Sequence, residues 1–268
     1  MYRKHLRNRK ADGILYKERK VRKRKNLPPQ FQGGYRMIKV CIFDLDGTLT
    51  ATLESIARPI NRMLEHFGLA PHPVEKYKYY AGDGLEESVR RALKEAGDTD
   101  EAHVREGVPL AGGWLQEDPL YHVKPYPHIV ETLTELKRRG IRLAVFSNKP
   151  HKAAVDVVKT IFGKETFDWI QGQSEEVPRK PDPAGALAIM KRLSVCPEEC
   201  LYFGDTNTDM QTGRGAGIFT VGVTWGFRPR SELEQYHADR IIDSPLEILD
   251  FPELQEDREK GVNPGVNS

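Results

Sequence analysis

Two carboxylates separated by a single residue, Asp44 and Asp46, are the first side chains of the sequence whose spacing could support chemistry. They follow directly after the run 38–43, which is apolar apart from Lys39. A short apolar run of this kind is typical of a strand buried on both faces of a parallel sheet. Carboxylates at the end of such a strand need a cation or a proton, because a bare buried charge is costly. A surface Asp-x-Asp-Gly turn is the alternative interpretation.

Further polar groups follow other apolar stretches of the chain. Ser147 follows the second apolar run, Asp205 and Asp209 follow a later one, and Lys180 lies in a proline-rich loop before a predicted helix. In a doubly wound sheet the carboxyl ends of the strands face one crevice. We therefore expect these side chains to lie together.

This set of side chains indicates phosphoryl chemistry. Several carboxylates attract a hard cation such as Mg²⁺, and a hydroxyl, backbone N–H groups and a lysine suit a phosphate. The combination is typical of phosphoryl transfer. Simpler roles stay open for each residue alone: Ser147 and Asp209 as helix caps, and Lys180 as a solvated loop charge.

The elements that must position these groups alternate between strand and helix after residue 125. Strands are predicted at 38–43, 141–146, 167–172, 200–203, 218–223 and 240–242, and helices at 128–139, 151–162, 184–193 and 208–214. Such alternation implies parallel βαβ units. The predicted fold class is α/β, with a doubly wound, mainly parallel, Rossmann-like sheet.

A mainly helical segment, 51–124, interrupts this α/β core of residues 37–50 and 125–252. Apolar residues at helical spacing predict helices at 53–68, 73–80, 84–96 and 101–110. Gly112 and Gly113 are expected to end the last of them.

The two ends of the chain are predicted to be tails. Residues 1–36 contain thirteen Lys and Arg against two acidic residues, whereas the rest of the chain is acidic on balance. A basic, apolar-poor segment is typical of disorder and could bind nucleic acid. Alternatively the segment has no partner, or the chain starts at Met37. Residues 253–268 are polar and are expected to fray.

Composition excludes several other classes. No apolar run approaches the roughly 18 residues that a membrane-spanning helix needs. The three cysteines, Cys41, Cys196 and Cys200, are too few and too poorly spaced for a disulfide framework or a zinc site. We expect a cytoplasmic protein without a membrane partner.

Taken together, the motifs resemble those of the haloacid dehalogenase-like hydrolases. The stretches 44–48, 147–149 and 204–209, together with Lys180, match the family's four motifs in order. The subgroup that the chain resembles is the phosphoglycolate phosphatases, whose helical C1 cap occupies the place of 51–124. The resemblance covers about residues 37–250.

The resemblance implies a role for each motif residue. Asp44 would be the nucleophile and a Mg²⁺ ligand, and Asp205 a second ligand. Asp46 would be the general acid and base, and its backbone carbonyl would bind Mg²⁺. The phosphate would be bound by Ser147, Asn148, Lys180 and backbone N–H groups of the motifs, with Thr48 positioning Asp46. Asp209 would support the site by orienting Lys180 or a metal-bound water.

Substrate choice would depend on the cap in this family. The loop Gly82-Asp83-Gly84 resembles the cap loop that reaches the active site, and Arg90 or Arg91 beyond it could meet a substrate carboxylate. Lys149 is expected to lie at the surface or at a helix start.

The function implied is a Mg²⁺-dependent phosphatase of a small phosphorylated metabolite such as 2-phosphoglycolate, acting through an aspartyl-phosphate. A phosphomutase or related phosphotransferase is the alternative within the family. A nucleic-acid-binding protein, acting through residues 1–36, is the alternative from another class. Asp46 argues against a dehalogenase, which lacks the second acid. The protein is expected to be a monomer or a homodimer.

Overall fold

The computed structural model describes residues 37–251 and residue 254. The expectations for residues 1–36, 253 and 255–268 lie outside this part of the chain. Within it, no helix is both long and apolar enough to cross a membrane.

Eight strands are present in the described residues: β1 (Val40–Phe43), β2 (Thr50–Ala51), β3 (Lys124–Pro125), β4 (Arg142–Pro150), β5 (Trp169–Gln173), β6 (Cys200–Gly204), β7 (Phe219–Val223) and β8 (Arg240–Ile242). Six of them form one parallel sheet in the order β5-β4-β1-β6-β7-β8. The central strand β1 is the point at which the strand order changes direction. The strands β4 and β5 lie on one side of it, and β6, β7 and β8 lie on the other. The structure therefore confirms the predicted α/β class and the mainly parallel sheet.

The central strand β1 is buried along its whole length, as its continuous apolar sequence predicts. Phe43, its last residue, is in register with Val145 of β4 and with Phe203 of β6. The rings of Phe43 and Phe203 stack with centroids 4.8 Å apart. This register brings the residues that follow β1, β4 and β6 to the same edge of the sheet.

Nine α-helices accompany the strands: α1 (Leu53–His66), α2 (Tyr77–Tyr80), α3 (Leu85–Glu95), α4 (Val104–Glu117), α5 (Ile129–Arg138), α6 (His151–Phe162), α7 (Ala184–Arg192), α8 (Asn207–Gly215) and α9 (Arg230–Gln235), within the described residues. Helix α7 buries Ile189 against Ile42 and Tyr202 on one face of the sheet. On the other face, Phe251 packs edge-on against Phe203.

Helices α1–α4 form a helical insertion with a hydrophobic cluster of its own. Ile60, Met63, Tyr77 and Leu93 are buried in this cluster, which Phe227 of the α/β core joins. The short strands β2 and β3 flank the insertion and pair antiparallel with each other, so the two connections to the core run side by side.

The last helix of the insertion differs from its prediction. Helix α4 begins at Val104 and continues through Gly112 and Gly113 to Glu117. A glycine in a helix interior costs up to about 1 kcal/mol relative to alanine. The buried residues Ala111 and Leu115 on either side offset this cost by packing, so the glycines do not end the helix.

Candidate active site

The carboxyl ends of β1, β4 and β6 bring together Asp44, Ser147 and Asp205, as the strand pattern predicts. All three side chains are buried. The backbone N–H of Asp44 donates to the carbonyl of Phe203 at 2.9 Å, which extends the β1–β6 pairing to the first acid.

Lys180 lies between two of the buried acids. Its Nζ donates to Oδ1 of Asp44 and to Oδ1 of Asp209, both at 2.7 Å. Burial lowers the pKa of the Lys180 ammonium, but the carboxylates of Asp209 and Asp44 outweigh this effect and hold the pKa well above its usual value. The lysine is therefore a charged group, fixed in place by two ion pairs.

The carboxyl group of Asp44 is held in an environment that disfavours its negative charge. Burial, together with the neighbouring Asp209 carboxylate, raises the pKa of Asp44 to about 7, although the Lys180 ammonium acts to lower it. A cation close to Asp44 would favour the ionised form that a nucleophile requires.

Asp205 is fully buried, and its carboxylate accepts two hydrogen bonds. Thr48 Oγ1 donates to Oδ1 at 2.8 Å, and the backbone N–H of Phe227 donates to Oδ2 at 2.8 Å. Burial and the neighbouring carboxylates of Asp209 and Asp44 nevertheless raise the pKa of Asp205 well above its usual value. The hydroxyl of Thr48 thus binds Asp205, and a role for Thr48 in positioning Asp46 stays a prediction.

Asp209 both caps helix α8 and orients Lys180, two roles that the sequence left as alternatives. Its Oδ2 accepts from the backbone N–H and the hydroxyl of Thr206, at 3.1 and 2.7 Å. Its Oδ1 accepts from Lys180 and from the hydroxyl of Tyr202, the latter at 3.2 Å. These four bonds fix the carboxylate.

The charges of this centre fit a bound cation. Oxygen atoms of Asp44, Asp205 and Asp209 lie within 4.8 Å of one another. Lys180 is the single cationic side chain bonded to this group among the described residues. Buried carboxylates in excess over cations are the oxygen donors that Mg²⁺ prefers. The carboxylate of Asp209 already accepts four hydrogen bonds. The carboxylates of Asp44 and Asp205 are therefore the better candidates for metal ligands.

Asp46 lies outside this cluster, and its carboxylate forms an ion pair with a different lysine. Lys149 Nζ is 3.2 Å from Oδ1 of Asp46 and 3.4 Å from Oδ2. The side chain of Lys149 is only 2% exposed. The expectation that Lys149 lies at the surface is therefore wrong: β4 continues as far as Pro150 and carries the lysine into the interior.

Asn148 connects three parts of the site through its side chain. Its Oδ1 accepts from the backbone N–H of Lys180 at 2.8 Å. Its Nδ2 donates to the carbonyls of Lys180 and Gly82, at 3.1 and 3.0 Å. The amide thus joins β4, the Lys180 loop and the insertion. Because both hydrogens of the side-chain amide are used in these bonds, the group of Asn148 that remains a candidate phosphate donor is its backbone N–H.

The loop Gly82-Asp83-Gly84 of the insertion reaches the site. Oδ1 of Asp83 accepts from the hydroxyl of Thr208 at 2.6 Å, and Oδ2 pairs with Arg91. Although burial raises the pKa of Asp83, these hydrogen bonds outweigh it and lower the pKa. Both glycines have positive φ angles, +114° and +93°, which a residue with a side chain rarely adopts.

Arg228 is a further contact to this loop, and the sequence interpretation did not identify it. Its Nη2 donates to the carbonyl of Ala81 at 2.9 Å, while its Nε donates to Glu232 at 3.1 Å. An arginine in a loop after the last motif carries no local signal of burial, yet Arg228 is only 6% exposed.

A cavity of about 40 Å³ lies between the insertion and the strand ends, and Asp44, Asp46, Ser147, Asn148 and Lys149 line its core side. The carboxylates, lysine and hydroxyl on one side suit a small anionic ligand and a cation.

The doubly wound sheet and the buried acids at its carboxyl edge define an α/β protein with a candidate ligand-binding crevice at the strand ends. A family model described as haloacid dehalogenase-like hydrolase matches residues 41–223. The chain belongs to the haloacid dehalogenase-like hydrolase family.

Similar proteins support this assignment. Phosphoglycolate phosphatase of Pseudomonas putida is 30% identical over 215 residues, which are 79% of this chain and 78% of that protein. Phosphoglycolate phosphatase of Aquifex aeolicus is 32% identical over 207 residues, covering 77% and 94%. A solved haloacid dehalogenase-like family hydrolase from Streptococcus pneumoniae superposes with a TM-score of 0.71 at 28% identity, covering 80% and 97% of the two chains.

Proposed function

We propose that the protein is a Mg²⁺-dependent phosphatase that hydrolyses a small phosphomonoester of the 2-phosphoglycolate type. The observation that carries the proposal is the separation of the two acids. Asp44 is bonded to Lys180 within the buried carboxylate cluster, whereas Asp46, two residues on, is paired with Lys149 at the cavity. This separation supports assigning the attack to Asp44 and the proton transfer to Asp46.

In the proposed reaction an oxygen of Asp44 attacks the phosphorus atom, and the bond to the leaving oxygen breaks. Asp46 gives its proton to that oxygen, and the alcohol departs. Asp46 then takes a proton from water, which attacks the aspartyl-phosphate and releases inorganic phosphate. Asp44 is regenerated as a carboxylate, and Asp46 is again protonated.

The other residues bind and orient. The Ser147 hydroxyl, the Lys180 ammonium and backbone N–H groups of Leu45, Asp46 and Asn148 bind the phosphate oxygens. The carboxylates of Asp44 and Asp205 and the backbone carbonyl of Asp46 would hold Mg²⁺. The ion, when bound, supplies positive charge that reduces repulsion between the nucleophile and the phosphate.

The helical insertion acts in this proposal as a cap, residues 51–124, over the core 37–50 and 125–252. Its loop Gly82-Asp83-Gly84 borders the cavity in which the alcohol part of the substrate would lie. We place the enzyme in the cytoplasm, acting as a monomer or homodimer on a soluble metabolite.

The proposal is tested by assaying the full chain on a panel of phosphomonoesters, with Mg²⁺ and with EDTA. We expect hydrolysis of 2-phosphoglycolate that requires Mg²⁺ and is lost in Asp44→Asn. Hydrolysis that persists in Asp44→Asn would contradict the covalent mechanism, and absence of Mg²⁺-dependent turnover on every ester would contradict the proposed function.

A further inference from the structure

Lys149 is a buried cation at the substrate cavity that the proposed mechanism does not use. Its ammonium has three N–H donors, and both of its hydrogen bonds go to the single carboxylate of Asp46, at 3.2 and 3.4 Å. These distances are long for a charge-assisted bond. The ammonium therefore retains capacity for a second anion.

The insertion supplies no charge to this cavity. Among the described residues that line it, the insertion contributes only uncharged groups: Ile56, Ala81, Gly82, Gly84, Leu85, Ser88 and Leu115. The core contributes the carboxylates of Asp44 and Asp46 and one cation, Lys149. Among the described residues that line the cavity, Lys149 is the one cation that an anionic group on the alcohol part of a substrate would meet.

The two arginines expected to meet a substrate carboxylate are directed elsewhere. Arg90 pairs with Glu86, Glu87 and Glu101 along the surface of the insertion. Arg91 pairs with Asp83 and donates to the carbonyl of Tyr80 at 3.0 Å. Neither arginine lines the cavity.

We propose that Lys149 is the specificity-determining residue of this site: it binds a carboxylate on the alcohol part of the substrate. This inference rests on the proposed function, in which Asp46 protonates the leaving oxygen. Because Lys149 contacts that same carboxylate, its ammonium lies near the atoms next to the leaving oxygen. The substrate class is a phosphomonoester whose phosphate-bearing carbon also carries a carboxylate.

The walls of the cavity strengthen this selection. Apolar side chains such as Ile56, Leu85 and Leu115 line the same cavity, so an ion pair formed beside them is screened less than one at the open surface. A neutral alcohol would gain nothing from Lys149, whereas a carboxylate would gain a charge-assisted hydrogen bond.

The competing role for Lys149 is to position Asp46, and the two roles give different results in one experiment. We compare kcat/KM for 2-phosphoglycolate and for ethyl phosphate, whose alcohol has the same number of carbons but no charge. The variants are Lys149→Gln, Lys149→Arg and the control Lys152→Gln. Lys152 lies in α6, is exposed, and pairs with Asp156.

We expect the wild-type chain to prefer 2-phosphoglycolate by about 30-fold or more, as a hydrogen bond to a charged group provides. In Lys149→Gln this preference falls about tenfold or more, Lys149→Arg restores part of it, and Lys152→Gln leaves it unchanged. A positioning role predicts an equal loss on both esters in Lys149→Gln, and that outcome would overturn the inference.

The wild-type chain provides a second measurement should Lys149→Gln fail to fold. Glycolate should inhibit hydrolysis competitively at concentrations where ethanol does not, because only glycolate carries the anion. Equal weak inhibition by both, or an equal rate on both esters, overturns the role of Lys149 and leaves the phosphatase function standing. If no ester is hydrolysed, the proposed function itself fails.

Discussion

Replacing Lys180 by methionine should produce opposite changes in stability and in metal affinity. The Lys180 ammonium is 2% exposed and forms ion pairs with Asp44 and Asp209, each at 2.7 Å. Methionine keeps most of the volume and removes the charge. Asp44, Asp205 and Asp209 would then face one another without a buried cation.

The size of the effect follows from the two distances. At an effective dielectric constant of about 20, each ion pair at 2.7 Å is worth about 6 kcal/mol before desolvation is subtracted. Removing one partner of a buried pair typically costs about 3–5 kcal/mol in the free energy of unfolding. Because Lys180 also binds the phosphate in the proposed mechanism, kcat should fall about 1,000-fold.

Urea unfolding with and without Mg²⁺, together with steady-state kinetics, measures these effects. Lys180→Met should be less stable than wild type without metal, and Mg²⁺ should recover more of its stability because a repelling charge is gone. The exposed Lys152→Met serves as the control and should change neither quantity. Near-normal kcat in Lys180→Met, or no greater stabilisation by Mg²⁺ than in wild type, would refute this reasoning.

Three further predictions concern the metal site and the insertion. Thr48→Val removes the donor to Asp205 and should reduce stability by about 1–3 kcal/mol and raise the Mg²⁺ concentration needed for activity; an unchanged Mg²⁺ titration would contradict it. Mg²⁺ at 100 times its Kd should stabilise the wild-type chain by about 2.7 kcal/mol, and Asp205→Asn should abolish this stabilisation in calorimetry. Gly113→Ala should raise the free energy of unfolding by about 0.5–1 kcal/mol, because the added Cβ would meet no atom within 4 Å outside the neighbouring residues and backbone of its own helix. A loss of stability would show that residue 113 is not in a regular helix.

The sheet and the meeting of the strand ends could be predicted because they depend on local pattern. The apolar run before Asp44 is buried along its whole length. The shared register of β1, β4 and β6 follows from the parallel βαβ arrangement. The position of a motif at a strand end is therefore set by the sheet and does not depend on the conformation of the loops.

Lys149 could not be placed in this way. A lysine before Pro150 and a predicted helix has the local character of a surface residue. Its burial depends on β4 continuing beyond Phe146 with a shifted register against β5, which is a property of the neighbouring strand. The sequence interpretation read the same residues as the end of the strand.

The partners of Thr48 and Arg228 are likewise set by tertiary structure. Thr48 reaches Asp205, 157 residues later, and Arg228 reaches Ala81, 147 residues earlier. Hydrogen bonds over such separations leave no periodic signal in a single sequence. Gly112 and Gly113 illustrate the same limit, since packing of α4 overrides their low helix propensity.

The central claim is that Asp44 becomes phosphorylated during turnover, and trapping the intermediate tests it most directly. In Asp46→Asn the second step lacks its base, whereas p-nitrophenyl phosphate has a leaving group that needs no acid. We predict a burst of about one p-nitrophenol per chain, and borohydride reduction of the quenched protein should yield homoserine at position 44. A linear time course with position 44 unmodified, or an adduct on another residue, would contradict the account.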